Sequence, residues 1–158
     1  MTAAIDRGDV DEAARQGVLA GPAVVEHALD SQVRATRLAG IAAAPQVEDR
    51  AELLPALARV AGGPDRRTAI PAAQAARAIA HELAARDALP DDLAPADVED
   101  WRTMFERLGR DRDRFVEVRL AALATATELA HSVDRSAAGF DTSAIAADPD
   151  PDVRAAAN

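Results

Sequence analysis

Three stretches of the chain begin alike: QVRATRLAGIA at Gln32, EVRLAALATA at Glu117 and DVRAAA at Asp152. Each places an acidic or amide residue before Val-Arg and follows it with small apolar residues. A fourth stretch, TAIPAAQAARAIA, keeps the register in degenerate form, with Ile70 in the valine place and Pro71 in the arginine place. From Val33 through Ile70 and Val118 to Val153 the intervals are 37, 48 and 35 residues. Such intervals suit a two-helix repeat of roughly 35 to 47 residues. A unit that short cannot bury its apolar face alone, so neighbouring copies must stack to make a core.

Proline and glycine cut the chain into helix-length pieces. A first helix is predicted over residues 9–20, opened by Asp9, Asp11 and Glu12, whose charges favour a helix N-terminus, and stopped by Gly21-Pro22. Pro22 is tolerated at a first helical position, so a second helix runs to Leu29. Asp30-Ser31 then caps a helix that ends at Pro45. Further helices are predicted over 48–61, closed by Gly62-Gly63-Pro64, and over 65–86, where Pro71 either kinks the helix or moves its start to Ile70. DALPDDLAPA is the longest non-helical stretch and accounts for the long repeat interval. Helices follow over 97–108, with Val98, Trp101, Phe105 and Leu108 on one face, and over 115–131. Residues 143–147 form a short helix or turn, and DPDPD introduces a last helix.

Composition agrees. Nearly half the residues are apolar and alanine dominates them, while the aromatics are only Trp101, Phe105, Phe115 and Phe140. Alanine is the best helix former and lets backbones approach closely; no segment shows the alternation of β-branched and aromatic residues that a sheet needs. The chain is long enough for one domain with a real core.

With these residues in view, the pattern DPDPDVRAAA over 148–157 resembles the turn and second-helix start of a HEAT repeat. Glu117-Val118-Arg119 and Gln32-Val33-Arg34 match it more weakly, and the resemblance spans most of the chain from Pro22 onward. It implies an all-α fold, a right-handed α-solenoid of stacked antiparallel helix pairs with about three to four repeats. The repeats would cover 22–45, 46–88, 95–133 and 140–158 after an N-terminal helix over 1–21, all in one domain. It also implies that the arginine of each motif pairs with a turn aspartate of a neighbouring repeat, so Arg34, Arg119 and Arg154 are read as structural. The usual work of such proteins is binding other proteins along the concave surface. A protein or peptide partner is therefore expected, with no enzyme activity and no cofactor. The alternatives are a HEAT-like enzyme handling a small molecule or chromophore, and a structural fragment of a longer solenoid.

Helical-wheel positions suggest where a partner would sit. In the helix after Glu117, Phe115, Val116, Val118, Leu120, Ala122, Leu123, Ala126 and Leu129 cover more than half the circumference. That leaves a narrow stripe of Glu117, Ala124, Glu128 and His131. The matching stripes are Gln32, Ala39 and Ala43 on one helix and Ala69, Ala73, Ala76 and Ala80 on another. If they line a concave face, it is smooth, alanine-lined and acidic at one end, a surface for a partner helix or extended peptide. The plainer account is that small residues let helices pack closely.

Other chemistries fit poorly. The net charge of −9 disfavours a general nucleic-acid or anionic-membrane binder. All basic residues are arginine, and their densest run, Arg107, Arg110, Arg112 and Arg114, is interrupted by Asp111 and Asp113. It reads as a solvated loop rather than a phosphate site. Cysteine is absent, which removes disulfides and thiolate chemistry. His81-Glu82 opens like a zinc-protease motif, but Ala85 stands where the second histidine must be. Asp148, Asp150 and Asp152 resemble the start of a calcium loop, but Val153 occupies the place that requires glycine. His27, His81 and His131 lie far apart, the serines sit at caps or loops, and no metal site, phosphate cradle or nucleophile elbow is present. No apolar run reaches membrane-spanning length. The polar start MTAAIDRGDVDEAARQG is unlike a signal peptide, which favours the cytoplasm slightly, with export the alternative where a leader has been removed. The last helix reads as an interrupted repeat too short to cover the flank of Leu120 and Leu123, so continuation into further repeats is expected.

Overall fold

A computed structural model describes Ala4 and residues 9–134 and 146–155, and every regular element among them is helical. The anticipated helix over 143–147 falls mostly outside the described residues, as does Phe140. The chain divides into two compact units, Met1–Ile79 and Ala80–Asn158.

In the first unit α1 spans Val10–Ala20. Its cap is Asp9, whose carboxylate accepts the Glu12 N–H at 2.9 Å, replacing one of the partners a helix start lacks. Gly21 ends it with φ 92°, a conformation that costs an L side chain dearly and glycine little. Pro22 then opens α2, Pro22–Leu29, as its fixed φ allows. The Ser31 hydroxyl accepts the Val33 N–H at 3.1 Å and leads into α3, Arg34–Ala43. These three helices pack on one another. Gly40 sets how close α2 and α3 come: a Cβ there would lie 3.0 Å from Ala28 Cβ and 3.1 Å from the Leu29 amide nitrogen.

The helix expected over 48–61 is only partly formed. Residues Arg50–Leu53 wind as a 3₁₀ turn after Asp49, which sits at φ 54°, and the α-helix α4 spans Leu54–Ala61. The left-handed residue breaks the earlier start; among non-glycine residues aspartate tolerates that conformation better than most. Leu53, Leu54, Leu57 and Val60 are buried here, and α4 packs on α2.

The helix α5 spans Arg66–Ala84, and the division between the units falls inside it. Pro71 neither stops this helix nor moves its start to Ile70. Pro71 lies past the first turn, so the N–H it lacks is one that would otherwise donate to the Arg67 carbonyl, and the rest of the long helix carries that loss.

In the second unit α6, Pro95–Arg110, and α7, Val116–Val133, form a tightly packed helical hairpin. Val98, Phe105 and Gly109 of α6 are buried, while Trp101 and Leu108 are half-buried. Gly109 is the closest approach, since a Cβ there would meet the Leu123 side chain at 2.6 Å. Of the wide apolar arc of α7, Val118, Ala122, Leu123, Ala126 and Leu129 are buried, with Ala121 beside them, while Phe115, Val116 and Leu120 are half-buried.

A last helix, α8, spans Pro151–Ala155 and packs on α7. Val153 is fully buried against Leu123, with Val116 and Leu120 packed around them; Leu123 is only 4% exposed, while Leu120 stays half-buried.

Candidate functional site

The recurring motif builds recurring turns. At residues 31, 65, 111 and 148 a side-chain oxygen accepts the backbone N–H two residues on: Ser31 from Val33, Asp65 from Arg67, Asp111 from Asp113 and Asp148 from Asp150. Short polar side chains favour this local closure, which turns the backbone without regular secondary structure.

At two of these turns the same aspartate also takes the motif arginine of an earlier helix. Arg34 Nε donates to Asp65 Oδ2 at 2.9 Å. Arg119 grips Asp148 with both terminal nitrogens, one at 3.2 Å from Oδ1 and the other on Oδ2, while its Nε donates to the Gly109 carbonyl at 3.1 Å. The bidentate geometry satisfies a buried guanidinium, whose desolvation is otherwise costly. Arg154 donates to the carbonyls of Asp148 and Pro149 at 2.7 and 2.8 Å, so its partner is the backbone of its own turn rather than a neighbouring aspartate. At Asp111 the second carboxylate oxygen takes Arg114, three residues on, at 2.8 Å.

The electrostatics follow the geometry. The bonds that Arg119 donates hold the Asp148 carboxyl below its ordinary range; burial opposes them, and the Asp150 N–H adds to them. For Asp65 the largest influence is desolvation, which pushes upward, but Arg34, the Arg67 N–H and the charge of Arg37 together outweigh it and leave the carboxyl lowered. Asp150 in turn caps α8, its Oδ1 accepting the Asp152 N–H at 2.9 Å. The run that resembled a calcium loop is thus engaged in holding a turn and a helix start.

The anticipated partner stripes are placed unevenly. Ala39, Ala43, Ala69, Ala73, Ala76 and Ala80 are each fully buried, so the alanine-lined part of the surface is not available: a methyl already covered within the chain has no area left for a partner. Gln32 and Glu117 are exposed, and Ala124, Glu128 and His131 are half-buried. Glu128 Oε1 lies 3.1 Å from His81 Nδ1, which ties the end of α5 to α7 within the second unit.

The arginine run of the second unit is largely neutralised from within. Arg110 lies 3.8 Å from Glu106, Arg112 lies 4.0 Å from Asp148, and Arg102 is held between Glu99 and Glu106. An open groove of about 450 Å³ lies along this part of α6, lined by Thr103, Glu106, Arg107, Arg110 and Asp111. In the first unit Arg34 pairs with Asp65 and Arg59 with Asp30, and Arg37 donates to the Ser31 carbonyl. Sequence reasoning missed the Arg59–Asp30 contact because no window contains it.

Among the described residues no group of three or more His, Asp or Glu is placed to hold a metal ion, and no helix is long and apolar enough to cross a membrane. No protein-family model, curated protein or solved structure is significantly similar to the chain.

Proposed function

We propose that this chain is a HEAT-like helical-repeat scaffold, a right-handed solenoid of stacked antiparallel helix pairs that works by binding another protein. One observation carries the reading. The arginine of the Val-Arg motif reaches the aspartate of a later turn in both units, Arg34 to Asp65 and Arg119 to Asp148. A repeated contact of this kind is what a stacked array needs, because each unit is held mainly by its neighbours. The open groove on α6 suits burial of a small molecule poorly, since such sites are enclosed.

The reading is tested by using the chain as bait with a photoactivatable residue placed at Glu117, then identifying captured proteins by mass spectrometry. Amine-reactive reagents would serve badly, since the chain has no lysine. A partner captured in stoichiometric yield and competed away by unlabelled chain is the expected result. Failure to capture any protein above background from Glu117, Gln32 or Arg67 overturns the scaffold reading.

A further inference from the structure

The core of this chain is built mostly of alanine, leucine and valine, yet its one tryptophan and its one internal methionine stay outside it. Trp101, Met104 and Leu108 recur on α6 at the i, i+3, i+7 spacing of a single helical stripe, beside the face that buries Val98, Phe105 and Gly109. Met104 is 36% exposed, and Trp101 and Leu108 are half-buried. Tryptophan and methionine are among the residues in which interface cores are enriched, because each covers much apolar area.

The charges beside the stripe decide which partner it suits. Asp97 lies one turn before Trp101 and Asp100 one turn before Met104, close enough on a helix surface to flank them, and both are exposed. Among the described residues neither carboxylate has an ion pair or a side-chain hydrogen bond. Asp97 suits the first turn of α6, but Asp100 lies beyond that turn and gains nothing from it. Arg102 is taken by Glu99 and Glu106, and Arg107 stands one turn beyond Met104, toward the other end of the stripe. In a chain of net charge −9, these carboxylates repel an acidic segment, a nucleic acid or an anionic lipid surface and attract lysine or arginine. A partner helix carries its own apolar stripe at the same spacing and packs ridge into groove, which an extended segment does not match. We propose that the Trp101–Met104–Leu108 face of α6 docks an amphipathic helix of the protein partner, its apolar stripe bordered by basic residues. This rests on the scaffold reading and names the element that the scaffold holds.

The test uses the full chain and a synthetic helical peptide of leucine and lysine in amphipathic order, read by the emission of Trp101, the chain's only tryptophan. Saturable binding with a blue shift is expected, since the indole loses water on docking. Met104→Gln removes apolar area without changing charge and should weaken binding about fivefold or more. D97N/D100N should weaken it several-fold, and more than D11N/E26Q does. The latter pair removes the same charge from α1 and α2 and likewise replaces a first-turn aspartate, so it controls for the general attraction of a cationic peptide to an acidic chain. Should D97N/D100N unfold the chain, Asp100→Asn set against Glu26→Gln gives the same reading with smaller drops. An unmoved Trp101 emission, equal losses in the two charge variants, or native-like binding by Met104→Gln overturns the proposal. So does a leucine–glutamate peptide that binds as tightly. If the leucine–lysine peptide does not bind but a partner is captured from Glu117, the scaffold reading stands and only this docking face falls.

Discussion

Arg34 and Arg119 each follow a valine, and they reach aspartates 31 and 29 residues further along the chain. Yet Arg34 keeps 54% of its side chain exposed and Arg119 only 4%. The partner is the same type in both; the surroundings are not. Over Asp65 the turn stays open to water, so the pair gains little from Coulomb attraction and is screened by salt. Over Asp148 the Gly109 carbonyl supplies a further partner, and Val153 is buried against Leu123. The ions are desolvated, and losing either partner strands a buried charge. One motif therefore yields a solvated latch in one unit and a keystone in the other.

The comparison breaks most visibly at the arginines. Arg119→Ala should cost about 3–5 kcal/mol, the usual result of removing one member of a buried pair. Arg34→Ala should cost about 1 kcal/mol or less, as for exposed pairs. Urea unfolding of the two variants measures both, and similar losses would show that burial does not set the worth of the pair. Next come the leucines one turn after each arginine. Leu123 is buried against Val153 whereas Leu38 is half-buried. Leu123→Ala should therefore cost about 2–4 kcal/mol and Leu38→Ala clearly less. A change at Leu123 below half of that lower bound would refute the packing of α8 on α7.

The glycines sharpen the contrast further. At Gly109 an added methyl meets the movable Leu123 side chain, while at Gly40 it meets Ala28 and the α2 backbone. Gly109→Ala should cost about 1–3 kcal/mol as an overpacked core does. Gly40→Ala meets backbone that cannot swing aside, though at a longer distance, and should fall in the lower half of that range. Thermal melts rank the two.

The smallest effect is in acid. Both aspartates are held below their ordinary range in the folded chain, so the unfolded chain binds these protons more tightly. The stability each contributes is present above the ordinary carboxylate pKa of about 4 and is lost as the pH falls through the lowered folded value. Asp148→Asn should flatten the acid limb of the stability profile more than Asp65→Asn. An unchanged limb in both variants would remove these carboxylates as its cause.

Much of this was readable from residues alone. Gly21-Pro22 fixed one helix end and the next helix start because a positive φ and a missing N–H have few places to go. The Val-Arg register found Arg34 and Arg119, and the turn aspartates supplied their partners. What escaped has a common physical reason. A helical wheel gives the direction of Ala73 or Ala76 but not its depth, and direction alone cannot separate a concave face from a packed one. Asp49 at φ 54° has no neighbour that announces it. The Arg59–Asp30 pair depends on two helices meeting, a fact held in tertiary contacts.

The burial of Val153 also bears on how the molecule opens. A five-residue helix with no support would exchange its amide hydrogens nearly as fast as an unfolded peptide. Anchored on Leu123 and capped by Asp150, α8 instead takes its protection from α7. Its amides should exchange in the same cooperative event that frees the middle of that long helix, rather than fraying on their own.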